Sequence, residues 1–445
     1  MNDAGRQAIR VSAAVEQFDA IVLGAGISGL VSASVLAGQG CRRVLVADEY
    51  DHIGGNHIDW SCDGYTFDVG SLIFQDDSPL LAHFPELLSL YLPIDPKWAR
   101  LNPQGMITSY PISVRDDILG AGALDTVRIF ASVLFARLFQ RKMRNAKDFA
   151  QYWLGGYLLH RSGLESYMKR FYGIAADEID IELARKRMLW ISEHASLRNL
   201  IARAFKPKRK GPTNRQMARP KEGFRALYRV AAEQLEQRGV TFHLASEMQA
   251  IYKVQDRFHL QVKDRIFAAD QIISTIPIEK AEELCGMTSA QKLDTITLIS
   301  LYFSFSGERG FSEPIIYNFS HEGAWKRLTV YSDFYGTANG REYFTAEVIA
   351  NHVCGSIQQA ELDFREHVLA NRLFQGDLKL EGGQILENAY PIYCRGASQH
   401  AAEAVRKLRA FGIQSLGRQG AFNYQPTARV STLEAEAALR EGQGA

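Results

Sequence analysis

Three glycines set out the first chemistry in this chain. Gly24, Gly26 and Gly29 stand in the order G-x-G-x-x-G, with Ile27 and Ser28 between the last two. The apolar run 20–23 precedes them, and a helical pattern through Leu30, Ser34, Val35 and Leu36 follows. A second apolar run, 44–47, ends in Asp48 and Glu49. Strand, glycine turn, helix, strand and acid together make the pattern of a dinucleotide-binding βαβ unit. Gly24 lets the chain turn sharply out of the strand. Gly26 has no Cβ, so a pyrophosphate can approach the backbone, and Gly29 lets the helix pack closely on the strands. The helix start offers free N–H groups and a positive dipole end to phosphates. Asp48 lies 19 positions after Gly29. Its carboxylate can accept hydrogen bonds from both ribose hydroxyls and would repel a 2′-phosphate, so NADP is disfavoured. A tight turn without a ligand is the alternative, and the complete βαβ context weighs against it.

The next residues are Glu49-Tyr50-Asp51-His52-Ile53-Gly54-Gly55-Asn56. The stretch 44–56 resembles the VLVIEKRNHIGGN segment of UDP-galactopyranose mutases and their FAD-binding relatives, the protoporphyrinogen oxidase and amine oxidase branch. That resemblance implies FAD as cofactor. It implies that the first glycine motif takes the diphosphate and that the acid at Asp48 takes the adenosine ribose. It also implies that the turn Gly54-Gly55-Asn56 lies close to the diphosphate and isoalloxazine. Asp48 stands where Glu is more usual, a loss of one methylene that keeps the carboxylate.

Further segments carry the same resemblance. Residues 57–75 read as a hairpin with its turn at Asp63-Gly64. Its exit, Gly70-Ser71-Leu72-Ile73-Phe74-Gln75, is similar to the G-x-H-I-F-H segment of galactopyranose mutases, with Leu72 and Gln75 in place of both histidines. This departure weighs against mutase chemistry and leaves the flavin reading intact. Residues 105–113 resemble the strand that enters the substrate lobe of those relatives, and 167–179 resemble their Y-T-x-K-x-W-G-I-P-P-D-E-L stretch, with Tyr172 at the Trp position. Residues 220–251 resemble a strand and helix of flavin amine oxidases in which the backbone at Met248 approaches adenine. Residues 251–270 read as a β-meander, closed by 269–277, which resemble the A-D-x-V-I-x-T-x-P strand. Residues 416–424 resemble the G-R-x-G-x-x-x-Y motif and imply Gly417, Arg418 and Tyr424 as flavin neighbours. A closing helix is expected over 431–439.

The remaining composition bounds the function. The 445 residues suffice for two or three lobes, with 46% hydrophobic and 23% charged residues. A formal net charge of +1 points to no nucleic-acid partner. Cys41, Cys62, Cys285, Cys354 and Cys394 are odd in number, scattered and without metal spacing, which fits a reducing cytoplasm and predicts no metal site. Residues 1–17 are polar and read as a frayed extension rather than a secretory signal. Residues 115–205 are helical in pattern. Within them 127–139, followed by Arg141, Lys142 and Arg144, read as a buried helix with a polar edge. A basic amphipathic helix on the inner face of an anionic membrane is the alternative. The basic stretch 203–225 reads as a solvated loop, with anion capture as the alternative.

The fold expected is α/β: a Rossmann-type FAD-binding domain, a parallel sheet plus a β-meander, with a discontinuous α+β substrate domain. The first is assigned to 18–80, 215–284 and 410–440, the second to 81–214 and 285–409. The function expected is an FAD-dependent oxidoreductase that transfers hydride from a small-molecule substrate to flavin N5. A mutase-like sugar-nucleotide isomerase, with a nucleotide sugar as substrate, and a non-catalytic FAD-binding scaffold are the alternatives. Tyr172, Arg327 and Tyr393 are the candidates for the substrate wall; no catalytic residue is assigned.

Overall fold

The computed structural model describes residues 15–70, 72–140, 142–187, 215–288 and 292–441. The chain starts with β1 (Val15–Gln17), β2 (Ala20–Leu23), α1 (Ile27–Gly38) and β3 (Val44–Ala47). Every residue of β2 and β3 is buried. Strands covered on both faces need continuous apolar runs rather than alternation, and that is how both are written. The hairpin follows as β4 (Ile58–Cys62) and β5 (Tyr65–Val69). Asp63 and Gly64 both take positive φ, 46° and 82°, as a two-residue hairpin turn requires. Next come β6 (Ile73–Gln75), the short helix α2 (Leu80–His83), β7 (Leu92–Ile94), β8 (Trp98–Leu101) and β9 (Ile107–Ser109). A helical lobe holds α3 (Ala123–Phe139), α4 (Ala146–Arg161), α5 (Leu164–Tyr172) and α6 (Ile181–Arg187).

After β10 (Gln216–Ala218) and the helix Phe224–Glu236 the chain returns to the first lobe with β11 (Val240–His243). The meander is β12 (Met248–Val254), β13 (Arg257–Val262) and β14 (Arg265–Ala269), and β15 (Gln271–Ser274) follows it. The long strands are β16 (Thr295–Arg309), β17 (Ile315–Asn318), β18 (Trp325–Val330), β19 (Glu342–Ile349) and β20 (Phe374–Pro391). The chain closes with β21 (Ile413–Ser415), a turn of helix at Gly417–Gly420 and the helix Ala428–Glu441.

A parallel five-stranded sheet has the order β11-β3-β2-β15-β21, so its strands come from three separated parts of the chain. The meander stacks beside it. A seven-stranded sheet, β20-β16-β19-β18-β17-β8-β9, is antiparallel except where β17 meets β8. Phe364 and Val368 of the helix Ile357–Ala370 pack against Phe303 and Phe344 on one side of it. This is the expected α/β Rossmann-like architecture.

Three expectations are corrected. Residues 15–17 are not frayed: β1 pairs parallel with β14, Val15 opposite Ile266, and adds an edge to the meander. Residues 127–139 are not a buried helix: only Ile129 and Ala136 of α3 are buried. The apolar side chains there suit burial, but α4 covers just one side of the helix. Of the basic stretch, Lys206, Lys208, Arg209 and Lys210 lie outside the described residues, as does the helical pattern beyond 187. Arg219 is not solvated. It is fully buried, and its Nε donates to Asp68 at 2.6 Å while its other nitrogens donate to the carbonyls of Pro220, Lys221 and Thr66.

The glycine turn yields a stability prediction. A Cβ on Gly29 would sit 1.8 Å from the Gly24 carbonyl oxygen, whereas one on Gly26 would meet only Gly55 Cα at 3.8 Å. Gly29→Ala is expected to cost about 3 kcal/mol and Gly26→Ala about 1 kcal/mol or less. Urea unfolding midpoints measure both, and equal midpoints would contradict the packing of α1 on the turn.

Candidate cofactor and substrate site

Three chain segments meet at Thr275. Its backbone N–H and its Oγ1 both donate to the Leu23 carbonyl, at 2.8 and 2.9 Å. A Cβ on Gly24 would fall 2.4 Å from Thr275 Oγ1, and one on Gly420 3.1 Å from Thr275 Cα. A Cβ on Gly417 would lie 3.0 Å from Ser28 Oγ. Glycine is therefore demanded by close approach in both the first and the last block. The Gly54-Gly55 turn closes on the same place. Gly54 N–H donates to the Ala25 carbonyl at 2.9 Å, and a Cβ on Gly55 would lie 3.1 Å from Gly26 Cα. At the start of α1, Gly26 is the N-cap, with no side-chain cap and no acidic residue in the first turn. The N–H groups at Ile27 and Ser28 thus begin a helix whose dipole favours an anion. A glycine cradle with an uncapped helix start fits a dinucleotide diphosphate.

Asp48 sits at the end of β3 and is 8% exposed. One carboxylate oxygen accepts from Ala25 N–H at 2.5 Å and the other from Tyr50 N–H at 2.9 Å. Burial pushes its pKa up, and these two donors pull against that shift. Each oxygen retains lone-pair capacity for a further donor. The shorter Asp side chain therefore braces the glycine turn. Its carbonyl accepts from Ser246 N–H at 2.8 Å, which brings Met248, at the start of β12, beside the end of β3. Glu49 is exposed at the rim.

A cavity of about 300 Å³ opens next to this cradle. Asn56 and His57 from the Gly-Gly segment line it, as do Arg418 and Tyr424 from the last block. Tyr172, Arg327 and Tyr393, the candidates for the substrate wall, all line it too. The far wall is the seven-stranded sheet. Tyr317, Arg327 and Glu347 stand in one register row across β17, β18 and β19. Arg327 and Glu347 form an ion pair there, and Lys326 Nζ joins the other Glu347 oxygen at 2.9 Å. Neighbouring strand residues normally point to opposite faces. Here the register shifts between Trp325 and Arg327, a β-bulge that turns both Lys326 and Arg327 into the cavity. Burial works to lower the pKa of Lys326 and Arg327, but the Glu347 carboxylate overrides it and raises both. Burial likewise opposes the Glu347 charge, and the two cations override it, so its pKa is lowered.

Sequence reading missed part of this wall. Lys326 and Glu347 were legible as charges inside apolar strands, a pattern that buried ion pairs produce. The bulge carried no sequence signal. His57 also lines the cavity. Its ring stacks on Phe224 with centroids 4.8 Å apart, and Nδ1 is hydrogen-bonded to the Tyr228 hydroxyl. Leu72 and Gln75 do not line the cavity. Leu72 packs in an aromatic cluster with Tyr65, Phe67 and Tyr302, and Gln75 Oε1 accepts from Arg429 Nε at 3.3 Å. Among the described residues no group of acids, histidines and cysteines could hold a metal ion.

His57 generates a pH prediction. Burial, helped by the Arg418 charge, lowers its pKa from 6.5 to about 4. The unfolded chain therefore takes up this proton at a higher pH than the native chain does. The resulting stability is present above pH 6.5 and is lost as the pH falls towards 4. His57→Gln should flatten the decline in melting temperature between pH 6.5 and 4 relative to the parent protein. Parallel declines would mean that the folded cavity accepts the proton.

The sequence pattern of the family described as NAD(P)-binding Rossmann-like domain matches residues 22–86. Chloroplastic prolycopene isomerase 2 of an Oncidium hybrid cultivar is 48% identical over 73 residues, 16% of this chain and 12% of that protein. The chain thus matches only a small part of the curated relative's length. A solved structure of reduced UDP-galactopyranose mutase superposes with a TM-score of 0.76 at 18% identity, covering 96% of each chain. Putrescine oxidase bound to putrescine superposes at 0.61 with 13% identity, over 97% of this chain and all of that one, 100%. The chain shares the mixed α/β fold of these two solved structures, with its Rossmann-like segment at the glycine cradle.

Proposed function

We propose that this chain binds FAD and is an oxidoreductase taking hydride from a small, polar, anionic substrate in the tyrosine-lined cavity. One observation carries this reading. The same cavity is lined by the glycine-cradle segment, by the last block and by the cationic row of the sheet. FAD, when bound, supplies the hydride acceptor at N5, and oxygen or another acceptor then takes the electrons.

The chain's own residues position and exclude. The uncapped start of α1 and the backbone at Gly26 receive the diphosphate. Asp48 receives the ribose, and Met248 the adenine edge. Gly417, Arg418 and Tyr424 flank the flavin ring from the last block. Lys326, Arg327 and Arg418 put three cations on the cavity wall against the single carboxylate of Glu347, with His57 neutral at pH 7. The excess of two positive charges draws in an anionic group. Tyr172, Tyr317, Tyr390 and Tyr393 offer ring faces and hydroxyls to the rest of the substrate.

A second reading, a sugar-nucleotide isomerase, is favoured by the same excess charge and by the likeness to reduced UDP-galactopyranose mutase over 96% of the chain. A diphosphate suits three cations as well as a carboxylate substrate does.

Two outcomes are expected. The purified protein should be yellow and release FAD on heating. Gly26→Val, which places a branched side chain where the diphosphate lies, should lower bound FAD by about tenfold or more with the far-ultraviolet circular dichroism unchanged. Full flavin occupancy in that variant would put the phosphates elsewhere. The second test separates the chemistries. Anaerobic mixing with anionic donors should bleach the visible flavin band once per product formed. Efficient conversion of UDP-galactofuranose to UDP-galactopyranose by the dithionite-reduced protein, with no net flavin oxidation, would overturn hydride transfer and establish the isomerase.

A further inference from the structure

Helix α3 carries seven of the seventeen large apolar side chains that are exposed among the described residues. Leu124, Val127, Phe130, Leu134, Phe135 and Phe139 are among them, each between 57 and 70% exposed. At about 100° per residue these side chains fall on one half of the helix circumference. Ile129 and Ala136, the two buried side chains, fall on the other half, towards α4. The exposed arc amounts to on the order of 700 Å² of apolar surface, more than a typical protein leaves uncovered in one patch.

The charges around the arc say what covers it. Arg128, with a side chain 55% exposed, stands at one edge, where it pairs with Asp125 at 3.2 Å. Arg137 stands at the other, its guanidinium 4.2 Å from the Trp153 ring centroid. The one acid of the helix, Asp125, is turned inward. It accepts from Tyr157 Oη at 2.7 Å and lies 3.4 Å from Arg161 Nε. Lys142 and Arg144 follow the helix, and Arg144 Nε pairs with Asp148 at 3.3 Å. The exposed arc therefore holds no acid and has cations at its edges and beyond its end. Against a second copy of this helix, those cations would meet like charges or the positive helix start, with no free carboxylate to receive them. Against anionic headgroups they are complementary. At 17 residues α3 is about 25 Å long, shorter than a hydrocarbon core of about 30 Å. No helix among the described residues is long and apolar enough to cross a membrane. The helix would have to lie along the surface.

We propose that α3 docks this protein on an anionic lipid bilayer, with its apolar arc in the acyl boundary and its flanking cations at the headgroup phosphates. This inference is independent of the chemistry proposed for the cavity. The full chain is floated with vesicles of phosphatidylcholine alone or mixed with phosphatidylglycerol, at low and high salt. Binding should be about tenfold or more tighter to the mixed vesicles and should weaken with salt. The triple variant Phe130→Ser, Phe135→Ser, Phe139→Ser should lose about tenfold or more of that binding while its unfolding midpoint stays unchanged, since all three rings are exposed. Three results would each overturn the proposal. One is no flotation with either vesicle. Another is flotation that the triple variant retains, which moves binding to another basic stretch. The third is a dimer by light scattering that the triple variant dissolves, which assigns the face to a second copy of the chain.

Discussion

Close approach of backbone and short side chains to the glycine turns is the constraint on which the rest of this structure depends. Thr275 leaves no room for a side chain at Gly24, Gly29 has room for none against the Gly24 carbonyl, and Gly417 has little beside Ser28. Segments about 250 and 390 residues downstream of the first turn thereby close on it, on the order of the chain's whole length. Each approach also satisfies a buried polar group. Gly54 N–H finds the Ala25 carbonyl, and Leu416 N–H finds the Ser274 carbonyl at 2.9 Å. The cavity lies where it does because these turns fix Asn56, His57, Arg418 and Tyr424 on its near side, while the seven-stranded sheet supplies the far side.

Buried cations serve two different purposes in this chain. Arg219 is saturated by Asp68 and three carbonyls, and so ties β5 to β10. Arg170 donates to the carbonyls of Asn318, Ser320, Glu322 and Gly323, and fixes the loop after β17. Such groups add little net stability compared with an apolar core, yet removing one partner costs about 3–5 kcal/mol because a charge is left buried and uncompensated. Lys326 and Arg327 differ. They share the single carboxylate of Glu347, so one positive charge on the sheet is left over, at the place where the cavity opens. Saturation marks structure here, and surplus marks the site.

The parts legible in the sequence were those governed by local sterics. The apolar runs of β2 and β3, the glycine turn and the Asp63-Gly64 hairpin each have one conformational solution, and short-range pattern suffices to read it. The convergence of the three blocks was legible only through resemblance, since nothing local in 271–277 says which glycines Thr275 will meet. The bulge at Lys326 was invisible, because a bulge depends on the partner strand rather than on the bulged residues. Arg219 read as one more cation in a basic stretch, since its partner Asp68 lies 151 residues away. For α3 the sequence showed that the helix is apolar on more than one side. Whether each side is covered depends on how many neighbours the fold supplies.

That number follows from how α3 is held. Helix α4 breaks at Gly155, which takes φ 74° and ψ 152°. A Cβ there would fall 2.7 Å from Val133 N and 2.9 Å from Ser132 Oγ, so the break lets the α3 backbone come into direct contact. Ser132 Oγ then accepts from Tyr157 N–H at 3.0 Å, just past the break. A contact this close needs few side chains, and Ile129 and Ala136 suffice for the inner face. The outer face is thereby left without a packing partner among the described residues, and its seven large apolar side chains stay mostly exposed. On the other side of α4, α5 packs on β18 and presents Tyr167, Phe171 and Tyr172 to the cavity. The uncovered apolar surface and the wall of the cavity therefore belong to one unit of three packed helices. A glycine contact between backbones has no rotamers to absorb a shift, so a displacement of α3 would strain α4 at Gly155, and α5 packs on α4 beside the cavity wall.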